Sequence, residues 1–264
     1  MGGPMKFLRA LLAAAAVRVQ LDDLLDLQAA REAKRRGSGT IEETLLIPQT
    51  ALATLQQMTG AGGKPLELFD EARLKQAASK MGEGVTLVSA KKLTSEAGEG
   101  FTATYGFTDI NKLKLDQNPI EAMPGPAGGA EDKQKKAPVV FHFTKGSPAE
   151  LTISMPAPDF KPKTPQPEGS EDMAMQMMKQ MLKDMKMTFA LEVPGTISET
   201  NAAYHDGSRV TFLEMDFNKL LDDPEKFKAM AKANPQSLPE AKLLLKGLDG
   251  VKVETSPEVT IKFQ

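Results

Sequence analysis

Alternation of apolar and polar residues with a period of two is the feature that most constrains how this chain can fold. In residues 100–108 the side chains of Phe101, Ala103, Tyr105 and Phe107 fall on one side of an extended backbone. Aromatic residues in this pattern are typical of a strand with one buried face. The segment therefore predicts a β-strand whose odd-numbered residues enter a core.

Other short extended segments are separated by turn residues, which predicts mostly antiparallel pairing. Strands are predicted at residues 16–20, 40–47, 85–93, 139–144, 150–155, 187–193, from 197, at 209–217 and at 259–263. Asp206-Gly207 is a strong hairpin-turn signal ahead of the strand at 209. Helices are predicted at residues 21–36, 50–58, 66–81, 170–186, 223–233 and 238–246. The predicted fold class is α+β, a mostly antiparallel β-sheet with several helices packed on one face, among them a Met-rich amphipathic helix.

Composition divides the chain into an N-terminal segment, residues 1–36, and a single α+β domain, residues 37–264. Two stretches inside the domain are predicted to be flexible inserts. Residues near 117–137 are rich in Pro, Gly, Ala and Lys, and residues 156–169 carry five prolines. Such segments bury too little apolar surface to offset the entropy lost on ordering.

The N-terminus carries the features of a short, degenerate signal peptide. Lys6 and Arg9 flank or interrupt an apolar stretch over residues 7–17, and small residues at 13–16 would suit cleavage. This interpretation predicts export to the periplasm or cell envelope. The alternative is an ordinary N-terminal helix of a cytoplasmic protein.

Composition excludes several classes of function. The chain has no Cys, so it forms no disulfide, has no thiolate metal site or Cys nucleophile, and lacks a Cys that could be lipidated. Its formal net charge is -2, which does not favour a nucleic-acid partner. The sequence does not indicate an oligomeric state.

No catalytic apparatus is recognisable. The two histidines, His142 and His205, lie far apart and are interpreted as surface or turn residues. There is no Gly-x-Ser-x-Gly elbow, Walker loop or dinucleotide-binding fingerprint. We therefore expect a non-catalytic protein without a metal or cofactor.

The Met-rich segment is the most unusual feature of the sequence. Methionines spaced by four, with one neighbour, form a stripe on the predicted helix at Met173, Met177, Met178, Met181 and Met185. Three interpretations stand open: a core-facing helix that uses Met as filler, an adaptable lining for a lipid or apolar ligand, and a Cu(I) site of soft thioethers.

Short turn motifs occur at residues 37–43, at 107–111 within the segment 101–113, and at 194–197, 200–202 and 206–212. In this order they resemble motifs of LppM-like bacterial cell-envelope lipoprotein domains, over about residues 37–216. The resemblance implies an exported, membrane-associated domain with binding of lipid or another hydrophobic ligand in some members. The chain departs from the pattern in lacking the lipidation Cys.

Together these features predict a non-catalytic cell-envelope protein that binds a lipid or other hydrophobic ligand. The Met stripe is the predicted ligand-binding site, and we expect the protein to associate with a membrane. The alternative is a structural or protein-interaction domain of the envelope without a small-molecule ligand.

Overall fold

The computed structural model describes most of the chain from Ala14 to Gln264. The described residues are 14–21, 37–52, 68–96, 98–115, 137–156, 176, 179, 182–233, 238–245 and 247–264. In chain order the strands are β1 (Ala14–Leu21), β2 (Gly39–Pro48), β3 (Thr86–Ser95), β4 (Gly98–Phe107), β5 (Lys114–Leu115), β6 (Val139–Thr144), β7 (Ala149–Ser154), β8 (Lys186–Glu192), β9 (Ile197–Thr200), β10 (His205–Asp206), β11 (Arg209–Asp216), β12 (Val251–Val253) and β13 (Glu258–Phe263). The helices are α1 (Glu71–Lys80), α2 (Phe217–Leu221), α3 (Pro224–Lys232), α4 (Leu238–Leu245) and a 3₁₀ helix (Ile110–Lys112), and residues 49–52, 176, 179 and 182 are also helical.

The strands form two sheets. The larger has the order β10-β11-β8-β1-β2-β4-β3, and β12 also pairs with β11. Its pairings are antiparallel except between β1 and β8, which run parallel. The smaller sheet has the order β5-β6-β7-β13-β9 and is antiparallel throughout.

The main hydrophobic core contains buried residues from both sheets. Ile41 of β2 and Phe101 of β4 come from the larger sheet, whereas Phe141 of β6, Leu151 of β7 and Ile261 of β13 come from the smaller. Because one face of each sheet is lined with apolar side chains, each sheet removes the other's inner face from water.

The expected α+β class, with several helices packed on one face of the sheet, is wrong. The described chain is mostly β, and its helices are short. Helix α1 contributes two buried residues to the main core, Leu74 and Ala78. Strands β6, β7 and β13 of the smaller sheet together contribute more, among them Phe141, Leu151 and Ile261. The predicted strands are largely present, but in the described part of the chain their apolar faces pack mainly against the other sheet, and α1 adds Leu74 and Ala78.

Strand β1 lies in the middle of the larger sheet, between β2 and β8. Its pairing with β2 runs from Ala14 opposite Leu46 to Leu21 opposite Gly39. The strand predicted at residues 16–20 is therefore confirmed, whereas the helix predicted after it lies outside the described residues. Residues 117–136 of the first predicted insert and 157–169 of the second also lie outside them.

A second, smaller core is built where β8 begins and β11 ends. Met187 and Met215 are cross-strand partners there, beyond a register shift between Thr211 and Leu213. Helices α2 and α3 close this end with buried aromatic residues. The buried members of this second core are Leu182, Met185, Phe217, Leu220 and Phe227.

Candidate functional site

The predicted Met stripe is described only at its last residue. Met185 has 0% of its surface exposed and belongs to the second core, in contact with no solvent. Its carbonyl oxygen accepts a hydrogen bond of 3.1 Å from the backbone N–H of Phe217. Met173, Met177, Met178 and Met181 lie outside the described residues, so the ligand-binding role of the stripe stays a prediction.

The chain just before Met185 is held by a reciprocal pair of polar contacts. Asn218 accepts the backbone N–H of Asp184 through Oδ1 at 2.8 Å, and its Nδ2 donates to Asp184 Oδ1 at 3.1 Å. Asp184 has a φ of 65°, in the left-handed region that Asp tolerates better than most residues. These contacts fix the direction in which the chain enters β8, and they place Met185 in the second core.

The two histidines lie on exposed strand positions. His142 is on β6 and His205 is on β10, and both side chains are exposed. Among the described residues, no group of three or more His, Asp or Glu side chains is placed to hold a metal ion.

A buried polar pair on the inner face of the larger sheet was not predicted. Glu43 lies between Ile41 and Leu45 on β2, where alternation points all three side chains into the core. The Tyr105 hydroxyl on neighbouring β4 donates a hydrogen bond of 3.0 Å to Glu43 Oε2. Glu43 is 7% exposed and Tyr105 is 0% exposed, so a carboxyl group and a phenol meet inside an apolar layer.

Burial dominates the electrostatics of this pair. It raises the pKa of the Glu43 carboxyl, against the smaller opposing effects of the Tyr105 hydrogen bond and the Arg73 charge. Burial also raises the pKa of Tyr105, and the charge and hydrogen bond of Glu43 add to the effect. Tyr105 therefore keeps its proton as a hydrogen-bond donor, and ionisation of Glu43 is disfavoured.

Helix α1 lies on the same core and brings a cation to the pair. Asp70 caps the helix, because its Oδ1 accepts the backbone N–H groups of Ala72 at 2.9 Å and Arg73 at 3.2 Å. Leu74 is buried in the core, and the Arg73 guanidinium donates to the carbonyl oxygen of Leu68 at 3.4 Å. The cap thus sets the helix register that places Arg73 where its charge acts on Glu43.

The pair can offer hydrogen-bonding atoms inside an apolar layer. The described residues supply the Glu43 carboxyl with one hydrogen-bond donor, which is fewer than a carboxyl group can accept. A few polar groups on an otherwise apolar face are typical of sites that orient hydrophobic ligands. A signal in the sequence could have found it: Glu42 and Glu43 are adjacent within a predicted strand, so one of them has to face inward.

A second buried carboxylate, Glu254, has a structural role. It is 7% exposed and accepts backbone N–H groups from Ala203 at 2.6 Å and from Thr255 and Ser256 at 2.8 Å each. Burial alone would raise its pKa, but the bonds from Ala203 and Ser256, with that from Thr255, hold it below its ordinary value. Glu254 therefore ties the segment before β10 to the segment before β13.

The motifs on which the predicted resemblance to LppM-like domains rests form turns and cap strands. Asn111 accepts the backbone N–H of Phe143 through Oδ1 at 2.7 Å, beside the short edge strand β5. Asn201 bonds the backbone of β13 twice, through Glu258 at 3.0 Å and Thr260 at 2.8 Å. Gly207, with a φ of 58°, makes the turn between β10 and β11 that was predicted.

Comparison with known proteins adds no relative. No protein-family model, no curated protein and no solved structure matches the chain. The resemblance to LppM-like domains therefore stays a prediction that rests on these turn motifs.

Proposed function

We propose that this protein is a non-catalytic binding module of the cell envelope whose ligand is a lipid or another hydrophobic molecule. The observation that carries the proposal is the Glu43–Tyr105 pair on the apolar inner face of the larger sheet. In this proposal, the pair forms hydrogen bonds with the polar end of the ligand.

Burial of Glu43 costs free energy that one hydrogen bond does not recover. A buried carboxyl group needs several partners, and leaving part of its bonding capacity unused costs about 1–3 kcal/mol. An apolar side chain at position 43 would avoid this cost while keeping the alternation of β2. A ligand group that completes the hydrogen bonding of Glu43 gives a reason for the residue to be there.

Binding accounts for the pair better than catalysis does. Tyr105 has no exposed surface, and its raised pKa makes it a poor general base. Helix α1 covers the same core with two buried residues, Leu74 and Ala78, and Arg73 of the same helix is half-buried. We assign α1 as the movable wall of the site, because only two of its side chains, Leu74 and Ala78, are buried.

Export is the second part of the proposal, and β1 limits where a signal peptide could be cleaved. Among the described residues, no helix has the length and apolar character needed to cross a bilayer. Ala14, Ala15 and Ala16 pair with β2, so cleavage after Ala16 would remove three pairings from the centre of the larger sheet. We therefore expect the exported protein to begin at or before Ala14. The mass of the protein isolated from the periplasm or envelope fraction tests this expectation.

The proposal is tested on full-length protein purified gently from its own cells. Native mass spectrometry, followed by organic extraction and lipid analysis, should find a stoichiometric hydrophobic molecule on the wild type. Glu43→Gln should reduce its occupancy, whereas Glu42→Gln should not, because Glu42 is the exposed neighbour on the opposite face of β2. A clean apo mass of the wild type, together with no uptake of added lipid, would refute the proposal.

A structural or protein-interaction domain without a small ligand is the second candidate. It is favoured by the close packing of the described core, in which Ile41, Ala103 and Leu151 have no exposed surface. The apo result would support it.

A further inference from the structure

We infer that the polar end of the ligand is an uncharged hydroxyl group, as in a long-chain alcohol; this inference rests on the proposed function. The geometry of the Glu43–Tyr105 pair carries it. Tyr105 uses its only proton on Glu43 Oε2, so its oxygen can offer only lone pairs to a third group. In the described part of the chain no hydrogen bond is made to Glu43 Oε1, so a ligand group could also meet that oxygen.

A hydroxyl group fits this position in either protonation state of Glu43. It can donate to a carboxylate oxygen, and it can accept from a protonated one, because it carries both a proton and lone pairs. It also brings no charge into a layer where Glu43 is 7% exposed and its neighbours Ile41 and Leu45 are apolar. Burying an uncharged group that is hydrogen-bonded costs far less than burying an ion.

The charged alternatives fit less well. A fatty-acid carboxylate would place a second acceptor against Glu43, and two carboxylates at one site oppose each other's ionisation. A cationic amine would enter a region where the Arg73 guanidinium already acts on both Glu43 and Tyr105. Repulsion between the two cations would offset part of the attraction to Glu43.

Three probes with the same chain and different head groups test the inference: octadecanol, octadecanoate and octadecylamine. Each is added to delipidated full-length protein near neutral pH, and binding is measured by native mass spectrometry and competition. We expect octadecanol to bind at least about tenfold more tightly than octadecanoate or octadecylamine, a ratio that corresponds to one lost hydrogen bond. Equal or tighter binding of octadecanoate or octadecylamine by the wild type would overturn the inference.

Substitutions separate the head-group inference from the proposed function. Glu43→Gln supplies an amide donor of the same shape, so octadecanoate should gain at least fivefold relative to octadecanol, while Glu42→Gln should keep the wild-type order. If Glu43→Gln does not fold, Tyr105→Phe replaces it, and a preference unchanged from wild type would count against the inference. Binding of all three probes with no preference overturns the inference alone, whereas binding of none overturns the proposed function as well.

Discussion

The Glu43–Tyr105 hydrogen bond can be tested by its effect on stability, independently of any ligand. The perturbations are Tyr105→Phe, Glu43→Leu and the double variant, which form a double-mutant cycle. Tyr105→Phe removes the 3.0 Å bond and leaves the carboxyl group buried without it. Glu43→Leu removes the carboxyl group and leaves the phenol unpaired, while the double variant replaces both groups with apolar ones.

The magnitudes follow from burial. With Glu43 7% exposed and Tyr105 0% exposed, water replaces neither lost partner readily. We expect Tyr105→Phe to lower the free energy of unfolding by about 1.5–3 kcal/mol, the range for a hydrogen bond to a charged or ionisable group. Glu43→Leu should cost about 1–2 kcal/mol, because relief of the buried carboxyl offsets part of the loss. The double variant should lie within about 1 kcal/mol of the wild type, since no polar group is left unpaired.

Urea denaturation followed by circular dichroism measures the cycle, provided that the slope with denaturant is the same for all four proteins. The expected coupling energy between Glu43 and Tyr105 is about 2.5–5 kcal/mol, because the two single losses are not added in the double variant. Coupling below about 0.5 kcal/mol is what independent sites show. That outcome would mean that the two groups do not depend on each other in the folded protein, and it would refute the reasoning.

Three further predictions concern buried groups. Burial raises the folded-state pKa of Glu43 above its ordinary 4.5. The contribution of this carboxyl group to stability is therefore full below pH 4.5, and it is lost as pH rises through the folded-state pKa. The stability of wild type minus that of Glu43→Gln, measured by urea titration at several pH values, should therefore fall with rising pH, and a rise would contradict this. Glu254 has the opposite pH dependence, because its folded-state pKa is lowered. Its contribution to stability is full above pH 4.5 and is lost as pH falls through the folded-state pKa. Glu254→Gln should cost about 1.5–3 kcal/mol at pH 7 by chemical denaturation, since one acceptor oxygen for backbone N–H groups becomes a donor, and a loss under 0.5 kcal/mol would show the contacts to be dispensable. Met185→Ala should cost about 2–5 kcal/mol in thermal or urea unfolding, because it empties a fully buried position of the second core, and the half-buried Met187→Ala is the control that should cost less.

Local pattern was enough to find most strands. The period-two alternation of residues 101–107 predicted β4, and the same pattern with turn residues predicted β2, β6 and β7 within a few residues. Asp206-Gly207 predicted the β10–β11 turn because few dipeptides adopt the backbone conformation of a tight hairpin. The helix predicted at 66–81 is shorter in the structure, since Asp70 caps it and α1 begins at Glu71.

The sequence alone determined which residues alternate and where the chain turns, because both depend on neighbours along the backbone. It did not determine that two sheets would pack face to face, because an apolar strand face fits a helix or another sheet equally well. The partnership of Glu43 with Tyr105 was also decided by tertiary structure. The two residues are 62 positions apart, and the β2–β4 register, with Glu43 opposite Ala103 and Ile41 opposite Tyr105, brings the side chains together diagonally. Such a register is fixed by the cooperative pairing of whole strands, which no local stretch of sequence specifies.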